Sequence, residues 1–289
     1  MNREIYADFH VHTHLSPCGK PEATAEAMLH RAGEKGLAAV GFSDHITPAP
    51  VPGCAFYDRQ RPVLLGELRS EIARVADRPN IEILVGVEAD FTMAGRECLD
   101  REMLVGADHV VCAASHFHLP AAPQPKDDGP QTVARLMLRL AREALATHGV
   151  SIWAHPFACS QMRPLGPILK YLSVSDLASL IDLALKHDVA IEINGGAARQ
   201  EEYRQAMSGF MTMALEMEAR FTLTADAHHP RDFERFDLAW QWSRELGLPE
   251  DRFLSVADLH EKQQRRLAGI AHERQASSQA STVDKESAS

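Results

Sequence analysis

Seven short apolar runs alternate with longer stretches of helical periodicity along almost the whole chain. That alternation restricts the fold more than any other feature. The runs at 5–10, 38–42, 81–87, 109–114, 151–154, 189–193 and 220–225 predict strands. Most are continuous rather than alternating, as in Val110-Val111-Cys112-Ala113-Ala114, which suits strands covered on both faces. Between them the spacing predicts helices over 22–35, 62–76, 132–147, 174–186, 201–218 and 232–246, with Gly36 and Gly149 standing just past two of the last turns. The pattern predicts an α/β protein whose parallel sheet closes, or nearly closes, into a distorted (β/α)7 TIM-like barrel. An open doubly wound sheet is the alternative, but no glycine fingerprint follows the first strand.

No linker interrupts the pattern, so residues 1–269 are expected to form a single domain. The polar segment 270–289 offers little to bury and is expected to be a disordered tail. No uncharged apolar run reaches the roughly 18 residues of a membrane span, and the first strand starts too early to leave room for a signal peptide. A cytoplasmic location with no membrane partner is the expectation. The net charge is −10, so duplex nucleic acid is not the expected partner. The five cysteines (Cys18, Cys54, Cys98, Cys112, Cys159) are odd in number and widely spaced; buried or metal-bound thiols fit better than a disulfide framework. Oligomeric state is not legible.

Fifteen histidines among 289 residues are the unusual term, and their placement matters more than their number. The predicted strands end in His10-Val11-His12, Asp44-His45, Glu88-Ala89-Asp90, Ser115-His116, Ala154-His155, Glu192-Ile193-Asn194 and Asp226-Ala227-His228. In a barrel those C-terminal ends share one face, where active sites are built. A His-x-His pair alone is weak evidence, since about 0.8 are expected by chance at this histidine frequency. Chance does not supply a ligand-type or strong polar group at every strand end. His30, His148, His187, His260 and His272 fall on helices and loops and read as surface residues. Trp153, Trp240 and Trp242 read as packing. Imidazoles mixed with carboxylates suit Zn, Mn or Fe, and the set is about twice too large for one ion. Two or three divalent ions are therefore expected.

The ordered set His10-x-His12, Asp44-His45, Gly86-x-Glu88, His116, His155-Pro156 and Asp226-x-His228 resembles the PHP (polymerase and histidinol phosphatase) superfamily. It is most similar to that superfamily's stand-alone bacterial phosphoesterases, over residues 5 to 260. The resemblance implies a trinuclear centre with nine ligands, which map onto His10, His12, Cys18, His45, Glu88, His116, His155, Asp226 and His228. Cys18 departs from the pattern, because the family commonly has a histidine there or an aspartate nearby. A thiolate ligand would make the site softer, and a small buried cysteine beside the site is the alternative.

The expected activity is metal-dependent hydrolysis of small-molecule phosphate monoesters, through a metal-bridging hydroxide whose pKa the ions lower. No Gly-x-Ser-x-Gly nucleophile elbow is present. Asp226 is expected to orient the attacking group, and His118 or His229 to serve the leaving group. Arg163 and Arg199 are expected to bind the phosphate. His14 and Lys20 are weaker candidates, and Asp44 suits orienting a ligand better than binding an ion. Two other readings stay open: a phosphodiesterase or nuclease acting on short oligonucleotides or nucleotides, and a metal-binding protein without turnover. Proline- and glycine-rich loops at 47–53 and 119–130 are expected to shape the substrate's surroundings.

Overall fold

The computed structural model describes residues 6–46, 61–90, 99–119, 122–158 and 164–286, with backbone alone at 61–63, 102 and 274–286. In chain order the elements are β1 (Ala7–Val11), α1 (Ala25–Glu34), β2 (Ala39–Ile46), α2 (Arg61–Arg74), β3 (Glu82–Asp90), α3 (Arg101–Gly106) and β4 (Val110–Ala113). There follow α4 (Pro130–Ala146), β5 (Ile152–Ala154), α5 (Leu165–Leu169), α6 (Val174–Lys186), β6 (Ala190–Asn194), α7 (Gly195–Ala198) and α8 (Glu201–Glu216). The chain closes with β7 (Phe221–Thr224), α9 (Arg235–Glu245) and α10 (Val256–Glu286). All six expected helices and all seven expected strands are present, with shifted ends. The short helices α3, α5 and α7 are additions, since runs of four to six residues are too brief to show a 3.6-residue period; the long α10 is a fourth.

The seven strands pair in parallel and in sequence order, from β1 to β7. The two edge strands meet at a bridge between Val11 and Ala227, where the His12 N–H donates to the Ala227 carbonyl at 2.8 Å. The Asp8 carboxylate spans the same seam, accepting from the Ala225 N–H at 2.9 Å. The result is a nearly closed α/β barrel of the TIM-like kind.

Side chains divide by strand periodicity. One set packs between sheet and helices, among them Val40, Phe42, Val85, Val87, Trp153, Ile191, Ile193 and Leu223. The alternate set (Ala7, Phe9, Ala39, Leu84, Val111, Ala113, Ile152, Ala154 and Ala190) fills the barrel interior, with Leu254 and Leu259. The barrel thus has an apolar floor at its N-terminal end, and inward positions further along each strand are left for polar groups. Helices seal the outside by burying one stripe each, as α4 does with Val133, Met137, Leu140, Ala141 and Ala144. A reciprocal capping box, Ser173 with Asp176, starts α6. Gly36 and Gly149 adopt positive φ of 76° and 91° and end the preceding helical turns as their positions predict.

The backbone stays helical to Glu286, beyond Gly269 where disorder is expected; Ala, Gln, Glu, Lys and Arg all have good intrinsic helix propensity. The loop 47–60, with Cys54, lies outside the described residues, as do Cys98 and Cys159. No helix among the described residues is long and apolar enough to cross a membrane.

Candidate metal centre

The site is built on inward positions at the C-terminal ends of the strands. On β2 and β3 the register sets His45 directly beside Glu88, and the two-residue period adds Asp90 on the same face. On β1 the register against β2 shifts between Asp8 and Val11. Before this bulge Ala7 and Phe9 face the interior, whereas after it Val11 packs outside. His10 and His12 are thereby turned inward together. Bulges re-aim side chains in this way beside functional sites. His116 follows β4, His155 follows β5, and Asp226 and His228 follow β7.

Glu88, 1% exposed, stands at the centre. Its Oε2 lies 3.1 Å from His10 Nε2, 3.2 Å from His12 Nε2 and 3.1 Å from His45 Nε2. Its Oε1 lies 3.2 Å from His155 Nε2 and 3.8 Å from His116 Nε2. Asp226 Oδ1 reaches the same space, 3.4 Å from His12 Nε2 and 3.7 Å from His10 Nε2. Five histidines, two carboxylates and one thiol supply three groups, the donor atoms of each lying within 4.8 Å of one another: His10–His12–Glu88, His45–Glu88–Asp90–His116, and His12–Cys18–His45–His228.

The opposite edges of these rings are tied down. His10 Nδ1 is 2.6 Å from Glu192 Oε1, His45 Nδ1 is 2.7 Å from Asp90 Oδ2, and His116 Nδ1 is 2.6 Å from Asp90 Oδ1. Glu192, fully buried, also accepts from Thr224 Oγ1 at 2.7 Å, Asn194 Nδ2 at 3.1 Å and the His155 N–H. His228 Nδ1 donates to the Asp226 carbonyl at 2.9 Å. A ring that gives its Nδ1 proton to a carboxylate presents a lone pair at Nε2. Those lone pairs face the carboxylate oxygens of Glu88, an arrangement that calls for a cation between them. His10 Nε2 and both ring nitrogens of His12 are buried without a hydrogen-bond partner. The residues therefore fit divalent metal ions, and carboxylate–histidine pairs are the usual means of orienting metal-binding imidazoles.

Electrostatics agree. Burial alone would favour neutral groups, yet the carboxylates Glu192, Glu88 and Asp226 raise His10, and Glu88 and Asp90 raise His45. Burial pushes Glu88 up, but His45 and His10 outweigh it and hold the carboxyl well below its usual range. Cys18, also pushed up by burial, is brought down to about 2 by His12 and His45. The assembly demands positive charge, from protons or from metal ions. Two residues of the site, His155 and Asp226, hold positive φ of 26° and 52°, a conformation uncommon in non-glycine residues, which here also occurs just past helix ends at Asp188 and Glu218.

Above this cluster opens a cleft of about 740 Å³, whose lining includes Cys18, His116, His118, His155, Arg199, Asp226, His228 and Lys20. Lys20 and Arg199 have no ion-pair partner among the described residues. Arg235 also lines the cleft, but its guanidinium is held by Asp232 at 2.6 Å and the Asp226 carbonyl at 3.3 Å. Burial and the neighbouring His116 hold His118 down to about 4, so its ring is neutral at pH 7. His229 does not line the cleft: its Nδ1 accepts from the Arg231 N–H at 3.0 Å and caps the 3-10 turn Pro230–Glu234. His14 turns to Glu71 at 3.4 Å, and Asp44 binds Thr13 through N–H and Oγ1 at 2.6 and 2.7 Å. Arg163 lies outside the described residues.

Sequence reasoning gave no role to Asp90, Glu192 or Arg235. For the first two a signal existed: each is an acid in a strand, at even spacing from a polar residue on the same face (Glu88 and Asn194). Arg235 carries no such mark.

A family model for the PHP domain matches residues 8–196. A curated protein named as a probable phosphatase, from Caldanaerobacter subterraneus subsp. tengcongensis, is 26% identical over 263 residues, covering 89% of each chain. Among solved structures, histidinol phosphate phosphatase from Lactococcus lactis, determined with zinc, L-histidinol and phosphate, superposes with a TM-score of 0.63 at 16% identity. The match covers 87% of this chain and 97% of that one. A Listeria monocytogenes structure described as a candidate histidinol phosphatase gives 0.61 at 15% identity, over 79% and 97%. At these identities the two structures speak to the fold.

Proposed function

The chain belongs to the PHP domain family, and from that premise we propose that it is a metal-dependent phosphoesterase acting on small-molecule phosphate monoesters. The observation that carries the reading is the ring of five imidazoles around Glu88, their far edges fixed by Asp90 and Glu192 where those contacts exist. His10, His12, Cys18, His45, Glu88, His116, His155, Asp226 and His228 would hold two or three ions. Bound divalent ions supply Lewis acidity, acidifying coordinated water and neutralising phosphate oxygens. Cys18 in the donor set favours zinc over manganese.

The protein's own groups account for the rest. Asp226 carries one oxygen toward His10 and His12, and its other oxygen accepts from Asn194 Nδ2 at 3.3 Å; it is placed to orient the attacking water and take its proton. Arg199 and Lys20 offer cationic donors to the phosphate as it enters, while Arg235 stiffens the Asp226 backbone. His118, a neutral ring on the cleft wall, offers the leaving oxygen a hydrogen bond. Gln200 also lines the cleft and would contact the phosphate's substituent.

The test is phosphate release from a panel of monoesters, diesters and a short single-stranded oligonucleotide, with zinc-, manganese- and iron-loaded protein. Monoester turnover that disappears with chelator and returns with metal is expected. Diester or oligonucleotide cleavage without monoester turnover would overturn the substrate class, and metal binding without hydrolysis of any ester would overturn the enzyme.

A further inference from the structure

His109 is fully buried, lies one residue before β4, and has no part in the chemistry above. Burial holds its imidazole down to about 4, so at neutral pH the ring is an uncharged donor. Its Nε2–H donates to the carbonyl of Phe9 at 2.8 Å, across the barrel interior. Phe9 is the residue at which β1 bulges, since the register slips between Asp8 and Val11. The next residue is His10.

The space for this bond is made by two other strands. A Cβ at Gly41 would stand 2.7 Å from the His109 Cε1 and 3.0 Å from Nε2, and one at Gly86 would stand 2.5 Å from both Cε1 and Nδ1. Any larger residue at either position would push the ring off the carbonyl. Ser43 also reaches Phe9 O, but at 3.4 Å, so His109 is the strong partner. On the other side of the bulge, Asp8 Oδ1 accepts the His10 N–H at 3.1 Å. Without such ties an inward carbonyl in a wholly buried strand would lose its partner and the bulge its reason to persist. If the bulge relaxed to a regular strand, alternation would put His10 on the face opposite Phe9, and the inward pairing of His10 with His12 would fail.

We propose that His109 is a positioning residue of the metal centre: its hydrogen bond to Phe9 fixes the bulge that aims His10 and His12 at their ion. The proposal rests on the metal-centre reading above, and its test measures metal affinity rather than turnover. Zinc dissociation constants are measured by chelator competition on the full chain for wild type, H109F and H109Q. Phenylalanine keeps a ring in the space but has no donor, whereas glutamine keeps a donor near the Nε2 position. H109F is expected to bind zinc about 10–100-fold more weakly, the usual effect of losing an orienting partner, and H109Q to stay near wild type. Equal zinc affinity in all three, whatever the change in melting temperature of the metal-free chain, would overturn the positioning role and leave packing as the residue's task. Absence of zinc binding by wild type would instead overturn the metal centre.

Should H109F not fold, coupling can be read in the wild-type chain, because linkage is reciprocal. Zinc should slow hydrogen exchange of the His109 Nε2–H more than that of the amides of α6, which contributes no residue to the site. Equal slowing of both would overturn the proposal.

Discussion

Replacing Asp90 by asparagine tests how the imidazoles are held. Asp90 is 1% exposed and accepts two ring protons, from His45 Nδ1 at 2.7 Å and His116 Nδ1 at 2.6 Å. Asparagine keeps one acceptor oxygen and puts an NH2 group in the other place. The ring facing that NH2 must now accept at Nδ1, so its proton moves to Nε2. Nε2 is the atom aimed at Glu88, and a protonated nitrogen cannot bind a metal ion. One ligand of the set is lost without any change in side-chain volume. Charge-assisted hydrogen bonds of this kind contribute about 1.5–3 kcal/mol, and loss of an orienting carboxylate usually weakens metal binding about 10–100-fold, or about 1.4–2.7 kcal/mol. Zinc affinity from chelator competition, with circular dichroism to confirm the fold, should fall within that range for D90N. D90A, which leaves both ring N–H groups unpaired, should fall further. A D90N chain that binds zinc as tightly as wild type would show that ring tautomers are not set from behind, and the reasoning would fail.

Further outcomes follow from the same geometry. E88Q removes the charge at the centre of five imidazoles and should abolish monoester turnover while leaving the far-ultraviolet spectrum unchanged; activity at the wild-type level in metal-loaded E88Q contradicts the mechanism. C18S replaces a soft donor with a hard one, so the ratio of manganese- to zinc-supported activity should rise; an unchanged ratio removes Cys18 from the ligands. Acid should destabilise the fold through His109, whose folded pKa of about 4 lies below the ordinary 6.5. The unfolded chain takes up that proton first as pH falls, so the stability is complete above pH 6.5 and is lost on descending through about 4, at most about 3 kcal/mol. Urea midpoints should show wild type losing ground to H109Q between pH 7 and 4.5; a constant difference refutes the assignment.

The strand ends were legible because the chemistry there is costly. An imidazole or acid placed in an otherwise apolar run needs a reason, and the recurrence at His10, His45, Glu88, His116, His155 and Asp226 supplied one. Helix positions were legible wherever an apolar stripe existed, as in α4 and α6. The β1 bulge was not, since the pair His10 and His12 reads the same in a regular strand; only register against β2 reveals that Phe9 and His10 both turn inward. Asp90 and Glu192 stood in the strand-end groups without a role of their own, because sequence cannot tell an acid that touches an ion from one that holds a ring. His229 was considered for its closeness to His228, and its Nδ1 instead caps a 3-10 turn, a use that adjacency in sequence does not reveal. No helix was expected where α10 lies, because its apolar positions are sparse and their periodicity fades after Ile270, although the backbone continues.

Anomalous diffraction at the zinc edge from zinc-loaded crystals bears most directly on the account. Peaks are expected between Glu88 and the Nε2 atoms of His10, His12, His45, His116 and His155, at about 2.0–2.1 Å from nitrogen, with one further ion about 2.3 Å from the Cys18 sulfur. Zinc found only at surface sites, with none between Glu88 and those rings, would contradict it.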